Sequence, residues 1–419
     1  MPCVSPSDES IPLGLYGSSN IGKVKNIYRR GLGLRYGRLM QTISGIHYNF
    51  SIPQEAWDVL AEARGTQNTQ SFRTKAYFEL IRNFRRNSWL LILLFGASPA
   101  ICKCFIQNQK HNLREFDNAT LYAPWGTSLR MGNLGYQSDA QSELHISYNC
   151  LEAYASSMHH ALSTPFERYA TAGVKSDGEY QQLNTNLIQI ENEFYGTIRP
   201  KRTAKSGQRP LTALTQEGVE YVEVRCLDLN PFLPVGIDTT QIKFLDTFLL
   251  HCLFSSSRND SPEESQEMQA NQLMVVERGR QQGISLSRNG EQKSLTTWAA
   301  QLINECKDIA RVLDTDNGKY LTAVNAQQEK LEDLSLTPSA QILSVMESEK
   351  ISFSEFVLRQ SGLHKASFAK CGWSGDTLEK MELLATQSLA KQREIEANDT
   401  QGLDAFIENY LELPQLSDL

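Results

Sequence analysis

The chain has 419 residues, 40% of them apolar and 21% charged, with a formal net charge of −7. That composition describes a globular chain able to bury a sizeable core, of two or three domains at about 150 residues each. Its acidity argues against a nucleic-acid partner. The most apolar run, Trp89 to Phe95, falls far short of the roughly 20 residues that span a bilayer. Residues 1–12 carry no signal-peptide pattern, and the eight cysteines lack a framework spacing. Reduced thiols in the cytoplasm are therefore expected.

Near the start, residues 17–24 almost spell a phosphate-binding G-x-x-x-x-G-K-[ST] loop, but Val24 stands where a hydroxyl must meet magnesium. The first β-type run follows at Gly45 to Ser51. Ile46, Tyr48 and Phe50 share one face, and His47, Asn49 and Ser51 the other. A helix is expected from about Ser71 to Gly96, with Arg82, Arg85 and Arg86 on one solvated turn and the apolar run as its buried end. Residues 96–100 partly match a nucleophile elbow but lack its closing glycine. Cys102 and Cys104 with His111 form a weak metal pattern, better read as ordinary cysteines.

The second β-type run is Ile188 to Tyr195, placing Gln189, Glu191, Glu193 and Tyr195 on one face. The third is Tyr221 to Cys226, with Val222, Val224 and Cys226 opposite Tyr221, Glu223 and Arg225. One amphipathic strand is ordinarily a solvated sheet face. Three that carry His, Glu and Arg together suggest a polar cavity. Carboxylates there can hold a divalent cation and arginine can neutralise phosphate, a combination suited to phosphoryl chemistry. After about Asp238 the chain reads as helix: 243–254, 296–313, 320–334, 338–347, 352–360 and 376–397, with a polar loop over 256–267.

The wording of several segments carries a resemblance. They are Leu15-Tyr-Gly-Ser-Ser-Asn-Ile-Gly22, Arg35-Tyr-Gly-Arg-Leu-Met-Gln-Thr-Ile-Ser-Gly-Ile-His-Tyr-Asn-Phe50, Leu94-Phe-Gly-Ala-Ser-Pro-Ala-Ile-Cys102, Thr127-Ser-Leu-Arg-Met-Gly-Asn-Leu-Gly-Tyr136, Gln189-Ile-Glu-Asn-Glu-Phe-Tyr195, Ile198-Arg-Pro-Lys-Arg202 and Glu220-Tyr-Val-Glu-Val-Arg-Cys-Leu-Asp-Leu-Asn-Pro-Phe232. Together they resemble the proteobacterial type of glutamate–cysteine ligase, densely from about residue 14 to 240 and more thinly beyond.

The resemblance implies an α+β fold with a glutamine-synthetase-like curved antiparallel catalytic sheet. Residues 1–237 would form the catalytic core and 238–419 a helical region packed on it. It implies ATP- and Mg²⁺-dependent joining of the L-glutamate γ-carboxylate to the amine of L-cysteine through an acyl phosphate. His47 and Glu223 match positions at the Mg²⁺ and nucleotide site, and Arg225 the arginine that stabilises the transferring phosphate. Tyr28, Leu32, Gln41, Arg130, Tyr136 and Tyr195 match the cysteine pocket. Arg199 and Lys201 match nucleotide-phosphate contacts. The plain alternatives are core aromatics, a structural histidine, a loop-capping arginine and a structural Glu223–Arg225 pair.

The family also carries an earlier segment with a Glu-Arg-Glu strand that supplies magnesium ligands and part of the glutamate site. No counterpart is read here; Arg393-Glu394-Ile-Glu396 lies in a different context. Three explanations are open: a misplaced start, a split or decayed gene, or a separate chain that supplies the segment. The alternative function is a truncated fragment or paralogue that binds ligand or a partner chain without turnover.

Overall fold

The computed structural model describes residues 7–106, 110–134, 140, 144–205, 207–315 and 317–414. Its organising helix, Gln70–Asn87, begins where the Thr69 side chain accepts a hydrogen bond from the Phe72 backbone N–H. That helix buries Ala76, Tyr77, Phe78, Leu80, Ile81 and Phe84. Ser88 interrupts it, and the separate helix Trp89–Phe95 is buried on every side. A helix with no polar face must be enclosed. It is covered by the strand Tyr221–Leu227 and the helices Pro262–Arg278, Lys319–Glu332 and Pro338–Glu349.

Tyr221–Leu227 is the middle strand of a three-stranded antiparallel sheet, between Ile46–Phe50 and Ile198–Lys201. Asn49 and Arg199 both pair with Glu223, from opposite sides. The register slips between Ile46 and Tyr48, and His47 sits at that irregularity. Bulges of this kind re-aim side chains beside sites. Val222, Val224 and Cys226 are at most 2% exposed and join the main core. On the helix Thr239–Phe254, Phe244 packs at a tilt on Phe95 and Phe248 edge-on to Phe84; Trp298 meets Trp89 at 4.9 Å between ring centres. One apolar cluster therefore runs from Phe50 to Leu331. The architecture is α+β, with small antiparallel sheets among many helices. Among the described residues no helix is long and apolar enough to cross a membrane.

Three expectations from sequence are corrected. Residues 188–195 are not a strand: 191–193 form a single 3₁₀ turn. The cause is two buried carboxylates that need several donors each. Glu193 accepts from Arg35 (2.9 Å), the Tyr36 hydroxyl (2.8 Å) and the Gln189 backbone N–H (2.7 Å). Glu191 accepts both arms of Arg209 and the Leu211 N–H. Second, Arg82, Arg85 and Arg86 are not solvated. Arg82 donates to the carbonyls of Tyr148, Asn149 and Arg258; Arg85 pairs with Asp260 and Arg86 with Glu264. Third, the polar loop ends at Ser261, which caps Pro262–Arg278 by accepting from Glu264. Proline and two glutamates in the first turn mark that start. A hairpin joins Ser285–Arg288 to Glu291–Ser294 through Asn289 and Gly290, both at positive φ.

The Arg35–Glu193 pair has no side-chain exposure at either partner. Removing one member of such a pair leaves an uncompensated buried charge. Arg35→Ala should lower the unfolding free energy by about 3–5 kcal/mol in urea titrations. Arg64→Ala, which breaks the partly exposed pair with Glu79, should cost less than about 1 kcal/mol.

Candidate active site

Beside the polar face of the sheet lies a cavity of about 1140 Å³. Tyr28, Leu32, Gln41, His47, Arg130, Tyr195, Arg199, Lys201, Glu223 and Arg225 all line it. Tyr136 lies outside the described residues. Residues drawn from five stretches of sequence thus converge on one space. The near-match to a phosphate loop does not contribute. Residues 17–24 form the capped start of the helix Asn20–Tyr36, with Ser19 accepting from the Gly22 N–H.

Glu223 is the one carboxylate among the described lining residues. It lies 3.4 Å from Lys201 Nζ, 3.3 Å from Arg225 Nε and 3.5 Å from His47 Nδ1. Burial alone would raise its pKa, but the field of Lys201, Arg225, His47 and Arg199 outweighs that and holds it below the usual value. Glu223 is therefore ionised at neutral pH. Burial, followed by the neighbouring Arg199, lowers Arg225 to about 10. Burial and Arg225 also lower the His47 pKa, so its ring is neutral at pH 7. Arg225 Nε also lies 3.3 Å from His47 Nε2, placing a donor against that ring nitrogen.

Three cationic side chains thus surround a single carboxylate. Two of their nitrogens, Arg199 Nε and Arg225 Nη1, are buried without a hydrogen-bond partner among the described residues. Buried guanidinium N–H groups are costly to leave unmatched. An excess of positive charge lining a cavity suits an anion with several acceptor oxygens.

The opposite wall is built by the helix Asn20–Tyr36. Its Gly31 has no room for a side chain: a Cβ would fall 2.2 Å from Gln189 Oε1. Burial, then the nearby Tyr195 and Glu193, raises the Tyr28 pKa well above its ordinary value, keeping the phenol neutral. Gln41 donates to the Arg29 carbonyl. Arg130 Nε donates to Asp228 at 2.7 Å. A further wall was missed from sequence: Gln266, Gln269 and Gln272 on Pro262–Arg278. Their three-residue spacing on one helical face was the available signal. Among the described residues, no three of His, Cys, Asp and Glu gather as a metal cage.

A family model described as glutamate-cysteine ligase matches residues 1–275. The chain is 50% identical to the glutamate–cysteine ligase of Pseudomonas putida KT2440, over 98% of this chain and 79% of that protein. It is 47% identical to the enzyme of Azotobacter vinelandii, over 98% and 78%. Among solved structures, the Francisella tularensis glutamate–cysteine ligase in complex with AMP superposes with a TM-score of 0.90 at 36% identity, over 97% of this chain and 80% of that one. A bifunctional glutathione synthetase from Pasteurella multocida shares the fold, with a TM-score of 0.63 at 21% identity over 86% of this chain and 43% of that one. Identity of this level over nearly the whole chain, joined to the match of the family model, places this protein in the glutamate–cysteine ligase family.

Proposed function

We propose that this chain joins the γ-carboxylate of L-glutamate to the amine of L-cysteine at the expense of ATP, giving γ-glutamylcysteine, the first step of glutathione biosynthesis. The observation that carries this reading is the cationic cluster of Arg199, Lys201 and Arg225, which lines the cavity around a single carboxylate. The phosphates of a nucleotide triphosphate compensate that positive charge. The relative from Francisella holds AMP.

In the first step the γ-phosphoryl group of ATP passes to the glutamate side-chain oxygen, leaving ADP and an acyl phosphate. In the second, the cysteine amine attacks the acyl carbon, expels phosphate and forms the amide. Arg225 and Arg199 lie against the phosphoryl group and compensate the charge on its oxygens, with Lys201 beside them. Arg130 pairs with the cysteine carboxylate. Tyr28, Leu32, Gln41 and Tyr195 wall the thiol; Tyr136 joins them on the resemblance alone.

Magnesium commonly binds through one or two carboxylates together with substrate phosphates, keeping several waters. Glu223 fits that role as a single ionised oxygen donor. His47, a neutral nitrogen beside it, suits orientation of Glu223 and Arg225 better than ligation of a hard cation. When bound, the ion supplies neutralisation of phosphate charge.

Two outcomes test the proposal. ADP release by the purified chain with ATP and Mg²⁺ should require both glutamate and cysteine; release that ignores either amino acid would sink the assignment. Arg225→Ala should lower kcat by about 10²–10³-fold, the usual cost of losing one preorganised charge at a transition state. Its Tm should stay near that of the parent, because the removed group relieves cationic crowding with Arg199.

A further inference from the structure

Arg130 reaches the cavity from the short turn Leu129–Met131, and its long side chain has many rotamers. Its guanidinium is nonetheless confined on three sides. Nε donates to Asp228 Oδ1 at 2.7 Å, and Nη1 and Nη2 lie 3.3 and 3.4 Å from the Arg225 carbonyl. Gly45 leaves its remaining flank clear. A Cβ there would come within 2.6 Å of Arg130 Cζ and 2.7 Å of the Leu227 carbonyl. Asp228 is itself fixed. It is 4% exposed, follows directly on the strand Tyr221–Leu227, and its Oδ2 accepts from the Ala97 N–H and the Ser98 hydroxyl, both at 2.8 Å.

We infer that Asp228 is a positioning residue for cysteine binding. It locks Arg130 through Nε and leaves the outer N–H groups of the guanidinium to meet a carboxylate. The inference rests on the proposed pairing of Arg130 with the cysteine carboxylate. The two oxygens of Asp228 divide the work: one holds Arg130 and the other holds residues 97–98. An asparagine has only one oxygen. The two donors at Ala97 and Ser98 claim that oxygen, which turns its NH₂ towards Arg130, where a donor faces a donor. The guanidinium is then released without deletion of any group that faces substrate.

The test is a set of variants in the ADP-release assay with cysteine and ATP varied in turn, each variant checked by thermal unfolding. Asp228→Asn should raise the KM for cysteine about tenfold, the order expected for loss of a charge-assisted constraint, and leave the KM for ATP within about twofold. On an Arg130→Ala background the same substitution should change the KM for cysteine by less than about twofold, since the residue it acts through is gone. Ser98→Ala, which loosens Oδ2 but spares Oδ1, should also stay within about twofold. If Asp228→Asn does not fold, Asp228→Glu keeps the charge, shifts the carboxylate and should show the same selective rise in KM.

If Arg130→Ala leaves the KM for cysteine unchanged, the pairing of Arg130 with substrate fails, and the inference fails with it. If Arg130→Ala raises that KM, three results overturn the positioning role alone. They are an Asp228 variant without effect on it, an equal effect of Ser98→Ala, and a full tenfold cost of Asp228→Asn on top of Arg130→Ala.

Discussion

Tyr221–Cys226 alternates strictly in polarity, and both of its faces are committed. Val222, Val224 and Cys226 are buried against the helices Gln70–Asn87 and Trp89–Phe95, while Glu223 and Arg225 face the cavity. A slip of one residue would drive two charges into an apolar core and expose three core side chains. Register is therefore specified by burial on one face, and that in turn fixes where the charges of the other face stand. The flanking strands inherit the register. Arg199 is held opposite Glu223 from one side and Asn49 from the other, with His47 displaced by the local irregularity.

The same chemistry, carboxylate against guanidinium, appears both as scaffold and as site, and hydrogen-bond accounting separates the two. Arg35–Glu193 and Arg209–Glu191 are enclosed, and each carboxylate meets several donors. They hold the 191–193 turn and through it the wall that carries Tyr195. Around Glu223 the balance is different. Cations outnumber the carboxylate, and two guanidinium nitrogens lack partners. Enclosed and satisfied pairs specify structure, whereas an excess of charge lining a cavity leaves chemistry for a ligand to complete.

How much of this was legible in the sequence follows from the range of the forces involved. The strands at 46–50 and 221–227 were readable because alternation is a local pattern and their partners merely accept it. Most helices after residue 238 were readable from their own local periodicity, but Pro262–Arg278 was read in part as a loop and Leu403–Leu411 was not read at all. Residues 188–195 alternate as well, yet Glu191 and Glu193 are claimed by Arg209 and Arg35, residues that no local window contains. Likewise, Arg82, Arg85 and Arg86 read as solvated until residues 255–264 fold over them. The Asn289-Gly290 turn was a local signal that went unused. For the site, the resemblance named ten residues that line one cavity, but not Asp228, which presents nothing to that cavity and contacts it only through Arg130.

A remaining tension concerns charge. The chain as a whole is acidic, at −7, yet the proposed reaction needs ATP and glutamate, both anions. Net charge is the wrong quantity at this scale. At physiological ionic strength surface charges are screened beyond about 8 Å, so the carboxylates scattered over the outer helices contribute little inside the cavity. Arg199, Lys201 and Arg225 act at contact distance and in a partly desolvated space, where each charge is felt far more strongly than in bulk water. Glu223 offsets one of them without cancelling the rest. Its lowered pKa keeps it ionised near neutral pH, so its carboxylate stays available to a cation arriving with the nucleotide. An acidic exterior limits unspecific association with anions, while the cavity focuses its own field on the few that fit.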